Sequence, residues 1–167
     1  MLESQKSELV KIFMSGDLSR ARERVALLST KDQHTGFVQN FLGTISLKEA
    51  NFQDAIDYFG NAITLDSNYE APLKNLALAY LQLGNLELAL SNIDKALRLS
   101  PHDLDALHTK GYLKLRSGNF DDAIAVLEKC LSGSPQNPQF LNTIGLAYFE
   151  ADEFLIAKSH FSKALKI

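Results

Sequence analysis

The chain repeats itself every 34 residues, and that period leaves little freedom over what it can fold into. Ala21, Ala55, Ala89, Ala123 and Ala157 stand 34 positions apart. Val25, Phe59, Ile93, Leu127 and Phe161 form a second column, and Leu28, Ala62, Ala96, Cys130 and Ala164 a third. A fourth runs Leu18, Phe52, Leu86, Phe120 and Phe154. Matched side-chain size in four columns means one structural unit written five times. Such a unit cannot bury its apolar face alone, so it stacks on its neighbours.

The stretch Glu70–Pro101 shows the unit most clearly. Leu73, Leu76, Ala77 and Tyr80 recur at spacings of three and four, as do Leu86, Ala89, Leu90, Ile93, Ala96 and Leu97. That spacing marks two amphipathic helices rather than strands. Gly84-Asn85 lies between them, and Gly84 can take the left-handed conformation that ends a helix. Pro101 stops the second helix. The unit reads helix, tight turn, helix, stop.

Ala77, Tyr80, Ala89, Ile93, Ala96 and Pro101 in this copy resemble the pattern of the tetratricopeptide repeat family. Gly145, Tyr148, Ala157, Phe161 and Ala164 match it again in the last copy. The resemblance covers nearly every residue from Leu2 to Ile167. It implies an all-α superhelix of about five helix-turn-helix repeats and ten helices. We expect a single array over 1–167, with repeats at about 2–35, 36–69, 70–103, 104–137 and 138–167, the last incomplete. The matching residues are packing residues, so they speak for fold more than for function.

Each copy departs from the pattern in its own way. The first is the most degenerate, with Gln5 and Glu8 where later copies are apolar, as a terminal repeat facing water requires. In the second, the turn is Ala50-Asn51, and Asn51 is expected to supply the left-handed residue. Ser67 replaces the stop proline there, which predicts a slightly longer second helix. In the fourth, Lys110 and Lys114 occupy the places of Leu76 and Tyr80. Their stems can pack while the ammonium groups reach water, or they form a basic spot for an acidic partner. In the fifth, Asn137-Pro138 gives an N-cap and a proline at N1, and Asp152-Glu153 replaces the glycine turn. Leu165 and Ile167 lie in the columns of Leu97 and Leu99, which a following unit covers. We expect either a longer array or an end buried by self-association through this uncapped C-terminal helix.

Composition narrows the function classes. A net charge of −3 gives no argument for nucleic acid or an anionic membrane. No stretch approaches the ~20 apolar residues of a membrane span, and Glu3, Lys6, Glu8 and Lys11 interrupt any targeting segment. The cytoplasm is the default expectation. Cys130 is the one cysteine and sits in an alanine column, which favours an inert buried thiol. No glycine-rich phosphate loop, metal-ligand spacing or nucleophile elbow occurs. Asp54, Glu87, Asp121 and Asp122 open helices, where carboxylates complement the dipole. We therefore expect no catalytic residue, no metal and no cofactor.

Function then lies on a surface. The family resemblance implies that the first helix of each repeat lines a concave groove. Its rows are Asn40, Lys74, His108, Asn142; Phe41, Asn75, Thr109, Thr143; Thr44, Leu78, Tyr112, Leu146; and Lys48, Gln82, Arg116, Glu150. Amide and hydroxyl groups over an apolar floor suit an extended peptide. Asn75 and Asn142 could each donate and accept, and Arg116 could hold a carboxylate. The expected peptide-binding residues are Asn40, Phe41, Lys74, Asn75, His108, Thr109, Tyr112, Arg116, Asn142 and Thr143. Some family members clamp the acidic tails of heat-shock chaperones with Lys, Asn, Asn, Lys and Arg. Here only Lys74 fits, while Leu78, Thr109, Gln139 and Thr143 replace the others, which argues against that clamp. The leading expectation is a non-catalytic scaffold for a protein or peptide partner. The alternatives are the docking arm of a larger glycosyltransferase- or sulfotransferase-type enzyme, and a secretion or assembly chaperone.

Overall fold

The computed structural model describes all residues from Met1 to Ile167 and is helical throughout, without strands. The helices are α1 (Glu3–Met14), α2 (Leu18–Ala26), α3 (Thr30–Gln33), α4 (Gly36–Lys48), α5 (Phe52–Leu65), α6 (Glu70–Gln82), α7 (Leu86–Leu99), α8 (Leu104–Arg116), α9 (Phe120–Gly133), α10 (Pro138–Glu150) and α11 (Phe154–Ala164). Ten follow the period, and the four-residue α3 is the addition. The chain forms two compact units, Met1–Leu83 and Gly84–Ile167.

The turns show how the period acts on the backbone. Gly16, Ala50, Gly84, Gly118 and Asp152 lie 34 apart, and all five have positive φ, from 60° to 84°. The second copy therefore corrects one expectation. Ala50, at φ 60°, is the left-handed residue, whereas Asn51 has φ −84° and stands at the N-cap position of α5 without a side-chain capping bond. The register of the turn fixes which residue turns left, whatever its preference, and a non-glycine side chain costs roughly 1–2 kcal/mol there.

The second helix of that copy is not longer either. α5 has 14 residues, as do α7 and α9. Asp66 leaves the helix at φ −150°, and its carboxylate accepts from the Asn68 amide at 3.0 Å. This local turn stops the helix without a proline. In the first copy, α2 stops after nine residues. Ser29 then caps α3, and the Gln33 amide donates to the carbonyls of Ala26 and Leu28 at 3.1 and 3.0 Å. Those bonds satisfy carbonyls that the shortened helix leaves open.

In the first unit, Leu9, Ala21, Val25, Val38, Phe41 and Ile45 form one core cluster. Ala55, Phe59, Leu76 and Ala79 form another. In the second unit, Leu115, Ala123, Leu127, Ile144 and Ala147 pack together. The paired helices approach closely where a small residue faces a large one. A Cβ on Gly43 would lie 2.5 Å from the Phe59 ring, one on Gly111 2.6 Å from Leu127, and one on Gly145 2.7 Å from Phe161. At the start of α10, Asn137 accepts from the amides of Gln139 and Phe140, and Pro138 occupies N1.

Candidate protein-interaction faces

In the first unit, the exposed side of α4 and α6 carries an amide ladder. The Asn40 amide donates to the Tyr69 hydroxyl at 3.3 Å, and the Asn75 amide donates to Asn40 Oδ1 at 3.0 Å. The same Asn75 nitrogen reaches Thr44 Oγ1 at 3.5 Å, the outer limit of such a bond. Burial pushes the Tyr69 hydroxyl up from its usual range, with the Asn40 bond opposing it. Lys74 Nζ meets the Glu70 carboxylate at 3.0 Å, one helical turn away. Asn40 and Asn75 thus bind each other, while Lys74 binds Glu70 on its own helix. Asn75 is not the free donor that its position suggested. Phe41 does not belong to a surface at all. It is 6% exposed and its ring packs 5.7 Å from Phe13 and 6.1 Å from Phe37. Phe13 and Phe37 close over it, so this position is core in the second repeat while Asn75, Thr109 and Thr143 keep the column polar and partly exposed in the later ones.

In the second unit, α8 and α10 present the other predicted residues. His108 Nε2 lies 2.8 Å from Thr143 Oγ1, and that hydroxyl donates its proton to the Gln139 carbonyl at 2.9 Å. With that proton on the Gln139 carbonyl, His108 Nε2 is the donor of the pair. Burial lowers the His108 pKa, with nearby Asp105 opposing the shift, and the ring packs 4.9 Å from Phe140. Thr109 donates to the Asp105 carbonyl at 2.9 Å, and Asn142 is exposed.

Tyr112 and Arg116 open onto a cleft of about 350 Å³ shared with Leu115, Phe120, Leu146 and Glu150. Arg116 Nη1 donates to the Tyr112 hydroxyl at 3.2 Å. Next to it, sharing Gly118, Phe120 and Glu150, lies an acidic cleft with Asp121, Asp122 and Asp152. These aspartates were read as helix-opening and turn residues. The period held the missing signal, because it sets the turn at Asp152 one repeat after Gly118, beside the first turn of α9.

Lys110 and Lys114 are occupied. Lys110 Nζ meets Asp94 at 2.7 Å and Lys114 Nζ meets Asp122 at 3.0 Å. They supply charge balance inside the second unit rather than a basic spot. Cys130 is fully buried, and burial pushes its thiol up to about 11. Its Sγ contacts the carbonyls of Leu104 and Val126 at 3.7 Å. No helix is long and apolar enough to cross a membrane.

Two tetratricopeptide repeat profiles match the chain, over residues 68–136 and 108–166. The chain belongs to the tetratricopeptide repeat family. No curated protein matches it in sequence. Among solved structures, a crystal structure of MamA superposes with a TM-score of 0.79 at 24% identity, covering 93% of this chain and 91% of that one. A second MamA crystal structure gives 0.78 at 22% identity, covering 99% and 92%. MamA 41-end from Desulfovibrio magneticus RS-1 gives 0.83 at 15% identity, covering 98% and 93%. At these identities the likeness concerns the fold. This tetratricopeptide chain shares the helix-turn-helix architecture of a protein-interaction scaffold, and its own side chains set what it can hold.

Proposed function

We propose that the chain is a non-catalytic scaffold that holds an extended segment of a partner protein, anchored in the cleft of Tyr112, Arg116, Leu146 and Glu150. The observation that supports this most is the pairing of an apolar floor with open charge at one place. Leu146 is 39% exposed above the buried Leu115, and Glu150 stands at the rim beside Asp121 and Asp152 of the adjoining cleft. Lys114 offsets Asp122, and Arg116 is turned onto Tyr112. The surplus is negative. The fitting segment therefore brings an apolar side chain to the floor and a lysine or arginine beside it. Extended-peptide recognition uses this division, with pockets for side chains and polar groups for the main chain.

Panning the chain against a library of short random peptides, then measuring affinity by fluorescence anisotropy, tests the reading. Selected peptides should carry an apolar residue next to a basic one. Leu146→Glu and Glu150→Lys should each weaken them by roughly tenfold, equivalent to about 1.4 kcal/mol. Peptides that bind both variants as tightly as the parent would place the anchor elsewhere.

A further inference from the structure

Two departures from the period build a complementary pair of surfaces in the second unit. In the column of Leu65 and Leu99 the fourth repeat has Gly133, and where Gly36, Glu70 and Pro138 open their helices it has Leu104. A Cβ on Gly133 would lie 2.7 Å from Leu104, so the exchange lays Leu104 across the end of α9. With Pro101, Leu107 and Lys129 these two residues line an apolar cleft of about 620 Å³. The second departure is Leu155, which is 86% exposed. Its column is otherwise Ser19, Gln53, Glu87 and Asp121. All four are exposed although another repeat follows each. We propose that a second copy of this chain docks in the cleft and seats its Leu155 against Leu104 and Leu107.

Charge selects the occupant. Lys129 and His102 stand at the rim, and Lys95 and Arg98 lie on the last two turns of α7, which runs into Pro101. The carboxylates nearby are already engaged. Asp94 binds Lys110, Glu128 accepts from the Tyr148 hydroxyl, and Asp103 caps α8. Asp105 lies toward His108. Lys95, Arg98 and Lys129 are exposed, with no carboxylate upon them. The complementary charge is that of Asp152 and Glu153, the exposed residues of the α10–α11 turn just before Phe154 and Leu155. Glu153 holds the N-cap position of α11 and makes no side-chain capping bond. Lys158, one turn on from Leu155, lies on the neighbouring face with Phe149 and Phe161. An apolar anchor beside carboxylates thus meets an apolar floor beside cations, an arrangement that fixes register and suppresses wrong partners.

The contact joins two molecules. The cleft shared by Asp121, Asp122 and Asp152 puts the α10–α11 turn beside the start of α9, whereas Gly133 is the last residue of that helix. A helix of 14 residues is about 21 Å long, so Leu155 does not reach the cleft of its own chain. Two different patches meet and each copy offers both, which makes the interface heterologous. It uses none of Tyr112, Arg116, Leu146 and Glu150, so it stands or falls separately from the peptide anchor.

Sedimentation velocity on the whole chain, at rising concentration, reads the contact. The average mass should rise with concentration and fall back as salt is added. Leu155→Glu removes the anchor, and Leu104→Glu spoils the cleft with a carboxylate where Glu70 carries one in the third repeat. Each should weaken association at least about tenfold, and Lys129→Glu should weaken it several-fold. Leu155→Glu keeps its cleft and Leu104→Glu keeps its Leu155, so an equimolar mixture of the two should associate again, as pairs. Circular dichroism checks that both variants fold. A parent chain that stays monomeric at every concentration would overturn the proposal. So would association that Leu155→Glu leaves unchanged, or a mixture in which the two folded variants remain monomeric.

Discussion

Gly43→Ala is the most direct probe of how these repeats hold together. The added methyl would stand 2.5, 2.6 and 3.0 Å from three atoms of the Phe59 ring. Carbon atoms rest at about 3.5–4.0 Å, so α4 and α5 must part or the ring must move. Phe59 is fully buried and has no solvent to turn into. Overpacking of this kind costs about 1–3 kcal/mol, against which alanine returns up to about 1 kcal/mol of helix propensity. A net loss of about 1–2 kcal/mol is expected in urea unfolding. Gly60→Ala is the control, because a Cβ there meets nothing within 4 Å in the middle of α5. It should gain about 0.5–1 kcal/mol. The third repeat has alanine and isoleucine, Ala77 and Ile93, in the same two columns, so Phe59→Ile should relieve Gly43→Ala, with a coupling of about 1 kcal/mol or more in a double-mutant cycle. If Gly43→Ala is as stable as the parent while Gly60→Ala gains, close approach at the small-residue column is not what fixes the helix pair.

Three further outcomes are expected. Ala50→Gly should raise stability by about 0.5–1 kcal/mol, because relief of left-handed strain exceeds the added freedom of the unfolded chain; a lower unfolding midpoint would contradict the turn geometry. Asn75→Ala should cost about 1 kcal/mol by leaving Asn40 Oδ1 without its donor, and an unchanged urea midpoint would mean that the ladder is not formed in solution. His108 has a lowered folded-state pKa, so the unfolded chain takes up its proton first as the pH falls. Stability should be full above about 6.5 and decline below it. His108→Gln should flatten part of that decline, with His160, also lowered by burial, retaining the rest; identical pH profiles would rule out the assigned environment.

The fold was legible because the period is carried by residues whose job is steric. Alanine and glycine at fixed intervals declare where helices touch, and Gly16, Gly84 and Gly118 declare where the backbone turns left. The fifth turn at Asp152 was legible from register alone. The first repeat was less so, because α3 depends on Gln33 reaching carbonyls five and seven residues back. The candidate site was only half legible. The period placed Tyr112, Arg116, Leu146 and Glu150 on adjoining rows, and they share a cleft. It could not show that Asn40 and Asn75 bind each other, nor that Lys110 and Lys114 already hold Asp94 and Asp122.

The sequence by itself determined the ten periodic helices, the places of the turns between them and the small and large columns where paired helices meet. These are local or strictly periodic, so one-dimensional spacing suffices to specify them. Tertiary structure alone decided which polar side chains remain available. Asn75 at the ladder, Phe41 in the core and Phe149 in the open differ by what lies across from them in space. A residue's partner is set by distance between helices, and that distance is not written in the residue's own position.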